Sequence, residues 1–264
     1  MSVNIKNNTH IKNLHIGPGI ITDGLVSWWN AASVRSYPRS GSIWYDLIKK
    51  NQNDGSLVNM SETNFSEEDG GVLVFDGSNE YVSVVHDTSL NFGVNSFSVS
   101  MWINLTDNLE QGSLGSYIIG KRGLGTLGSY KGWQIKAINK FGDGWDLLDS
   151  GIDDGTRSDT TGTDTLQQFN RWYMVTMVYD SGASVVGLWI DKTRISVKNF
   201  VTTGDIDNTL PVEIFGTRYS DGAHYASPVQ TTDGSIANVS IYTKALSADE
   251  VAHNYSVAES IYNN

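Results

Sequence analysis

Along much of this chain apolar and polar residues alternate singly, the period of a strand with one buried face. The clearest run is SFSVSMWINL, where Phe97, Val99, Met101 and Ile103 alternate with Ser96, Ser98 and Ser100. It predicts a strand with one face in the core and the other toward solvent or a partner. GSIANVSIYTK repeats the pattern, with Val239 and Ile241 opposed to Asn238 and Ser240. RWYMVTMVYD and VVGLWID are apolar on both faces, as at the centre of a sandwich, and SGAS between them predicts a hairpin turn. GGVLVFDGSNEYVSVVH reads as two strands about a turn at Asp76–Asn79. GLVSWWNAA, YIIGKRG, GWQIKAI and VEIFGTRYSDG add further strands, and FGDGWDLLDSGIDDGTRSDTTGTDT predicts a long acidic loop.

The period changes at the end of the chain. In LSADEVAHNYSVAESIYNN, Ser247 and Glu250 form a capping box, Leu246 and Val251 a hydrophobic staple, and Val251, Tyr255, Ala258 and Tyr262 recur at helical spacing. About a dozen short strands followed by one helix predict an all-β fold of two packed antiparallel sheets, not a parallel α/β arrangement. No fixed-period repeat points to a propeller or solenoid. One stretch, SYPRSGSIWYDLIKKNQNDG, fits neither period. Pro38 and Gly41 predict a turn, Trp44 and Tyr45 anchor the crossing, Asp46 caps backbone amides, and Asp54-Gly55 makes a second turn.

Composition narrows the picture. A chain of 264 residues with 39% hydrophobic content can bury a core as one domain. The absence of cysteine removes disulfides and thiolate metal sites. A formal charge of -11 repels phosphate backbones and anionic membranes, so neither nucleic acid nor membrane insertion is expected. Residues 1–22 carry separated Ile5, Ile11, Leu14 and Ile16 in polar, Asn-rich sequence without a signal-peptide pattern. They read as an attachment arm that orders on a partner, followed by one domain over 23–264.

Catalytic patterns are weak. Glycoside hydrolysis needs paired carboxylates. Glu80 and Glu213 stand near strands but far apart in sequence, and Glu250 has a capping role. GLGTLG (123–128) matches a dinucleotide-binding string but runs into a strand instead of a helix, so it reads as a loop. The five histidines have no zinc spacing. Calcium is the one candidate cofactor: Asp143, Asp146, Asp149 and Asp153 fall in a glycine-rich acidic segment, with an exposed acidic loop as the plain alternative. Trp133, Trp145, Arg218, Tyr219 and Asp221 combine aromatic and polar groups suited to a sugar, a protein interface or a cap on the sandwich.

Taken in order, GLVSWWNAASVRSYPRSGSIWYDL, GGVLVFDGSNEYVSV, SFSVSMWI, RWYMVTMVYD, GLWIDKTRI and GSIANVSIYTKALSADEVAHNY resemble laminin G-like domains of the concanavalin A-like lectin and glucanase superfamily. The resemblance implies a two-sheet jelly roll, and most resembles versions in structural proteins of tailed bacteriophages. It departs from the Glu-x-Asp-x-x-Glu cluster of laminarinase-like members and from the disulfide of animal laminin G modules. The function it implies is a non-enzymatic virion protein, a capsid decoration or head-fibre protein at the virion surface. Its partners would be a major capsid protein or another head or tail structural protein, in a lattice or oligomer. The alternatives are an extracellular or tail adhesin binding a host-surface glycan, and a glycoside hydrolase.

Overall fold

The computed structural model describes residues 19–106, 116–124, 131–139, 144–156, 158–162, 167–216, 218–219 and 232–262. In chain order the first strands are β1 (Leu25–Asn30), β2 (Ile43–Trp44), β3 (Gly55–Val58), β4 (Phe65–Ser66), β5 (Val72–Asp76), β6 (Tyr81–Val84), β7 (Phe97–Leu105), β8 (Ser116–Lys121) and β9 (Gly123–Leu124). Next come β10 (Gly132–Asn139), β11 (Trp145–Asp153), β12 (Ser158–Thr161), β13 (Trp172–Asp180), β14 (Val185–Ile190), β15 (Thr193–Asn199), β16 (Val212–Ile214), β17 (Arg218–Tyr219), β18 (Asp233–Tyr242) and the helix α1 (Ala248–Tyr262).

Two antiparallel sheets pack face to face. The first runs β15-β14-β13-β7-β18-β5-β4, with β1 beside the C-terminal half of β18. The second runs β12-β11-β10-β8-β16-β6-β3-β2. Between them lies one core that includes Trp29, Trp44, Phe75, Phe97, Met101 and Trp133. A second apolar layer joins the outer face of the first sheet to α1 through Trp102, Trp172, Tyr242, Leu246, Val251 and Tyr255. The expected all-β sandwich with a terminal helix is therefore present, and the helix makes it three layers deep.

That third layer explains the apolar faces of β13 and corrects the expectation for β7. Ser98 and Ser100 are buried instead of facing solvent. The Ser98 hydroxyl donates to the Lys244 carbonyl and accepts from the Leu246 amide, and Ser100 pairs with Thr176 at 2.8 Å. The polar face is covered by the chain's own C-terminal segment, and small hydroxyls let that segment approach. The capping box closes as expected: the Ser247 amide donates to Glu250 at 2.9 Å and the Glu250 amide to Ser247 Oγ at 3.2 Å.

Three other expectations shift. The Asp76–Asn79 turn forms, with Gly77 at φ 72°, yet it joins strands in different sheets and makes no hairpin. Glu80 holds this corner, accepting from the Asp76 amide at 2.7 Å and from Asn64 Nδ2 at 2.8 Å. The acidic run from Trp145 is a strand, β11, paired on both edges by β10 and β12, and not a loop. In the irregular stretch Trp44 is fully buried, but Tyr45 is exposed beside Lys49. Asp46 caps the Trp28 and Ile48 amides, at 2.9 and 2.8 Å. The second turn falls at Gln52, which adopts φ 54°, two residues ahead of Asp54-Gly55. Gly55 itself is a strand residue against which Val82 packs so closely that a Cβ would sit 2.6 Å from Val82 Cγ1.

Candidate functional site

Of the residues singled out for sugar contact, the two tryptophans lie in the core. Trp133 is 1% exposed and packs among Phe92 and Phe97, with ring centroids 6.4 and 5.9 Å away. Trp145 is fully buried, set edge-on to Tyr173 with its indole N–H donated to the Gln168 carbonyl. Neither ring has a face open to a ligand; both are inward residues of strands that bury one face. Arg218 and Tyr219 form β17, paired in parallel with Gly123 and Leu124 of the glycine-rich string. Asp221 lies outside the described residues, as do the arm residues Ile5, Ile11, Leu14 and Ile16.

The aspartates are likewise spread out. Asp146 and Asp153 sit at opposite ends of β11, roughly 20 Å apart at the rise of an extended strand. One calcium ion needs oxygens about 2.3–2.6 Å from itself, so these two cannot share it. Asp153 is held by Arg122 at 2.9 Å and accepts the Gly155 amide. Asp154 anchors the loop at Thr203 and Gly204 through its Oδ2. Asp143 lies outside the described residues. Among the described residues no three His, Asp or Glu side chains form a metal cluster.

The outward face of the second sheet carries a polar row set by register: Gln134, Gly120, Glu213, Ser83 and Ser56 stand opposite one another on β10, β8, β16, β6 and β3. Glu213 and Gln134 are 3% and 4% exposed, so this face is already packed. Two further acids on it are Asp153, opposite Gly132 and paired with Arg122, and Asp146, opposite Ile138. Three strand spacings and four residues separate Asp146 from Glu213, roughly 20 Å, against the roughly 5–9.5 Å of glycosidase carboxylate pairs. Glu80, committed to its corner, does not complete a pair.

The opposite side of the molecule is open. Between α1 and the outward face of the first sheet lies a cavity of about 680 Å³, within the roughly 300–1,000 Å³ of small-molecule sites. Register builds its floor: Trp28, Ser240 and Ser100 form one row across β1, β18 and β7, and Asn30, Asn238 and Trp102 the next. Alternation along SWWN sends Trp29 into the core and leaves Trp28 half-buried at the cavity. Trp102 is braced from behind by Tyr255 and Tyr262 of the helix, with ring centroids 5.3 and 4.8 Å away. Burial pushes the Tyr262 phenol up to about 12, so it remains a neutral hydroxyl at physiological pH.

One end of the cavity is closed by the last residues of the expected arm. Gly19 and Ile20 line it, the Ile21 amide donates to Asn254 Oδ1 at 2.8 Å, and His253 Nε2 lies 2.9 Å from the Gly19 carbonyl. Asn254 in turn donates to the Tyr242 hydroxyl at 3.0 Å, tying strap, helix and sheet together. The sequence reading overlooked this site. Its signal was Trp102, a large ring on the serine face of an otherwise strictly alternating strand.

A family model described as the concanavalin A-like lectin/glucanases superfamily, of laminin G type, matches residues 76–252. No curated protein matches the chain. Among solved structures, the binding domain of Paraclostridial Mosquitocidal Protein 1 is similar at TM-score 0.60 and 14% identity, over 88% of this chain and 52% of that one. The binding domain of Botulinum Neurotoxin serotype G is similar at 0.61 and 14%, over 89% and 51%. Trypanosoma rangeli sialidase in complex with sialic acid is similar at 0.61 and 16%, over 94% and 35%. This chain thus spans about half or less of those chains, and at such identity the likeness is one of fold. With more than half of its length matched by the family model and its two-sheet sandwich in place, the chain belongs to the concanavalin A-like lectin/glucanases superfamily.

Proposed function

We propose that this protein is a non-enzymatic recognition domain carried on the surface of a bacteriophage particle, with its N-terminal segment as attachment and its sandwich as the displayed, glycan-binding part. The observation that carries the recognition role is the cavity beneath α1, lined by half-buried Trp28, Asn30 and Asn238 with Trp102 buried at its base. The non-enzymatic role rests on the described acids. Glu80 and Asp153 are spent on structural hydrogen bonds, and Glu213 and Asp146 stand too far apart to act as a pair. The fold is shared with toxin binding domains and with a sialidase, so fold alone does not choose between binding and hydrolysis.

The strap supports the attachment role. Gly19 and Ile21 are fastened to the C-terminal helix, so the proposed attachment segment joins the domain beside α1. Deletion of residues 1–18 is expected to abolish association with the particle while leaving the thermal unfolding transition unchanged. Undiminished co-sedimentation of the truncated chain with particles would sink the attachment role and favour a secreted adhesin.

A further inference from the structure

We infer that the cavity beneath α1 takes an uncharged saccharide, one or two pyranose rings, and rejects acidic sugars; this rests on the recognition role proposed above and names its ligand. Three features lead there. First, no charged side chain is among the described residues that line the cavity. A carboxylate-bearing sugar would therefore be desolvated without a cation to pair with. Asp69, adjacent to the lining Gly70 and close to Tyr262, adds negative charge nearby, in a chain whose net charge is -11.

Second, the floor presents neutral hydrogen-bonding groups in a fixed pattern. Asn30 and Asn238 stand directly opposite each other on β1 and β18. Asn30 spends its carbonyl on the Ala32 amide at 3.0 Å, which leaves its NH2 group for a ligand acceptor. Asn238 also meets the Tyr262 hydroxyl, and both groups line the cavity. Adjacent sugar hydroxyls, each both donor and acceptor, match such a pair of side-chain amides.

Third, Trp28 borders these amides on the neighbouring row and is half-buried, so an indole and a polar pair flank one space. A pyranose ring has an apolar C–H face and a hydroxyl rim, and this site offers one surface for each. A purely apolar occupant, such as an Ile or Leu side chain, would strand the Asn30 amide without a partner.

The test uses the full chain and a panel of neutral methyl hexosides and N-acetylhexosamines, with the methyl glycoside of N-acetylneuraminic acid as the acidic probe. Binding is read by saturation-transfer NMR and by tryptophan fluorescence titration. Asn30→Asp keeps the acceptor for the Ala32 amide but replaces NH2 by a charged oxygen, so it should fold normally and weaken neutral-sugar binding at least tenfold. Trp28→Ala should do the same, and native far-UV circular dichroism checks that both fold. A neutral sugar bound by the parent chain and lost in both variants supports the inference. Binding of the acidic probe alone, or neutral binding untouched by either substitution, overturns it while leaving glycan recognition standing elsewhere on the domain. Neutral binding that emerges only after deletion of residues 1–18 also overturns it, because the chain itself would then occupy the cavity. Failure to bind any sugar overturns this inference and the glycan-binding role together, whereas loss of particle association alone touches only the attachment role.

Discussion

At the scale of single residues, Asp46 shows how a polar side chain serves the fold. It is fully buried, and its Oδ1 accepts amides from Trp28 on β1 and Ile48 in the following turn, while its own amide donates to Asp54. One carboxylate thus ties the irregular stretch to the first strand. Asp46→Ala strands two buried amides and is expected to cost about 2–3 kcal/mol in urea unfolding. Asp46→Asn retains an acceptor at the same place and should cost less than half of that. Burial pushes the Asp46 carboxyl above its ordinary range. The native state therefore holds this proton more tightly than the unfolded chain, and the contribution of Asp46 to stability falls as pH rises from the unfolded pKa through the folded one. Stability of the Asp46→Asn variant, measured from pH 3 to 7, should lack that decline. The capping role was legible in the sequence because an aspartate in a turn has few other uses. The burial was not, because it depends on β1 and the neighbouring turn closing over a segment of no regular period.

At the scale of elements, the C-terminal helix decides what the outer face of the first sheet can be. Its start was readable residue by residue: Ser247 and Glu250 cap each other, and Lys244 beside Glu250 holds that carboxyl below its usual range. Ser247→Ala should lower stability by about 1 kcal/mol in chemical denaturation. A loss near zero would mean that the aromatic stack on Trp102 alone seats the helix. Where the helix lands was not readable. Alternation in β7 marks its serines as one face, but a strand pattern is the same whether that face meets water or a helix. Packing of Val251, Tyr255 and Tyr262 onto that face buried the serines, braced Trp102 and left the cavity beside them. In the same way an acidic run rich in Gly and Asp reads as a loop, yet pairing on both edges makes it strand β11.

At the scale of the whole molecule, the sandwich disperses groups that adjacency in sequence had gathered. Extended geometry separates Asp146 from Asp153 along one strand, and their partners are already within the chain. Thermal unfolding with calcium chloride and with a chelator should therefore coincide; a transition raised by calcium would reveal a site built from other residues. Conversely, the fold assembles the cavity from positions far apart in sequence, Trp28 and Asn30 near one end, Trp102 in the middle, Asn238 and Tyr262 near the other. By itself the sequence determined the all-β class, the strands with one apolar face, the helix and its cap, and the superfamily, because these follow from local period, local hydrogen bonding and the order of short motifs. Only the tertiary structure decided which sheet each strand joined, which polar face was covered, and that Trp133 and Trp145 were core while Trp28 bordered open space. Those outcomes depend on contacts between strands distant in the chain, and a residue's own neighbours in sequence carry no record of what will pack across from it.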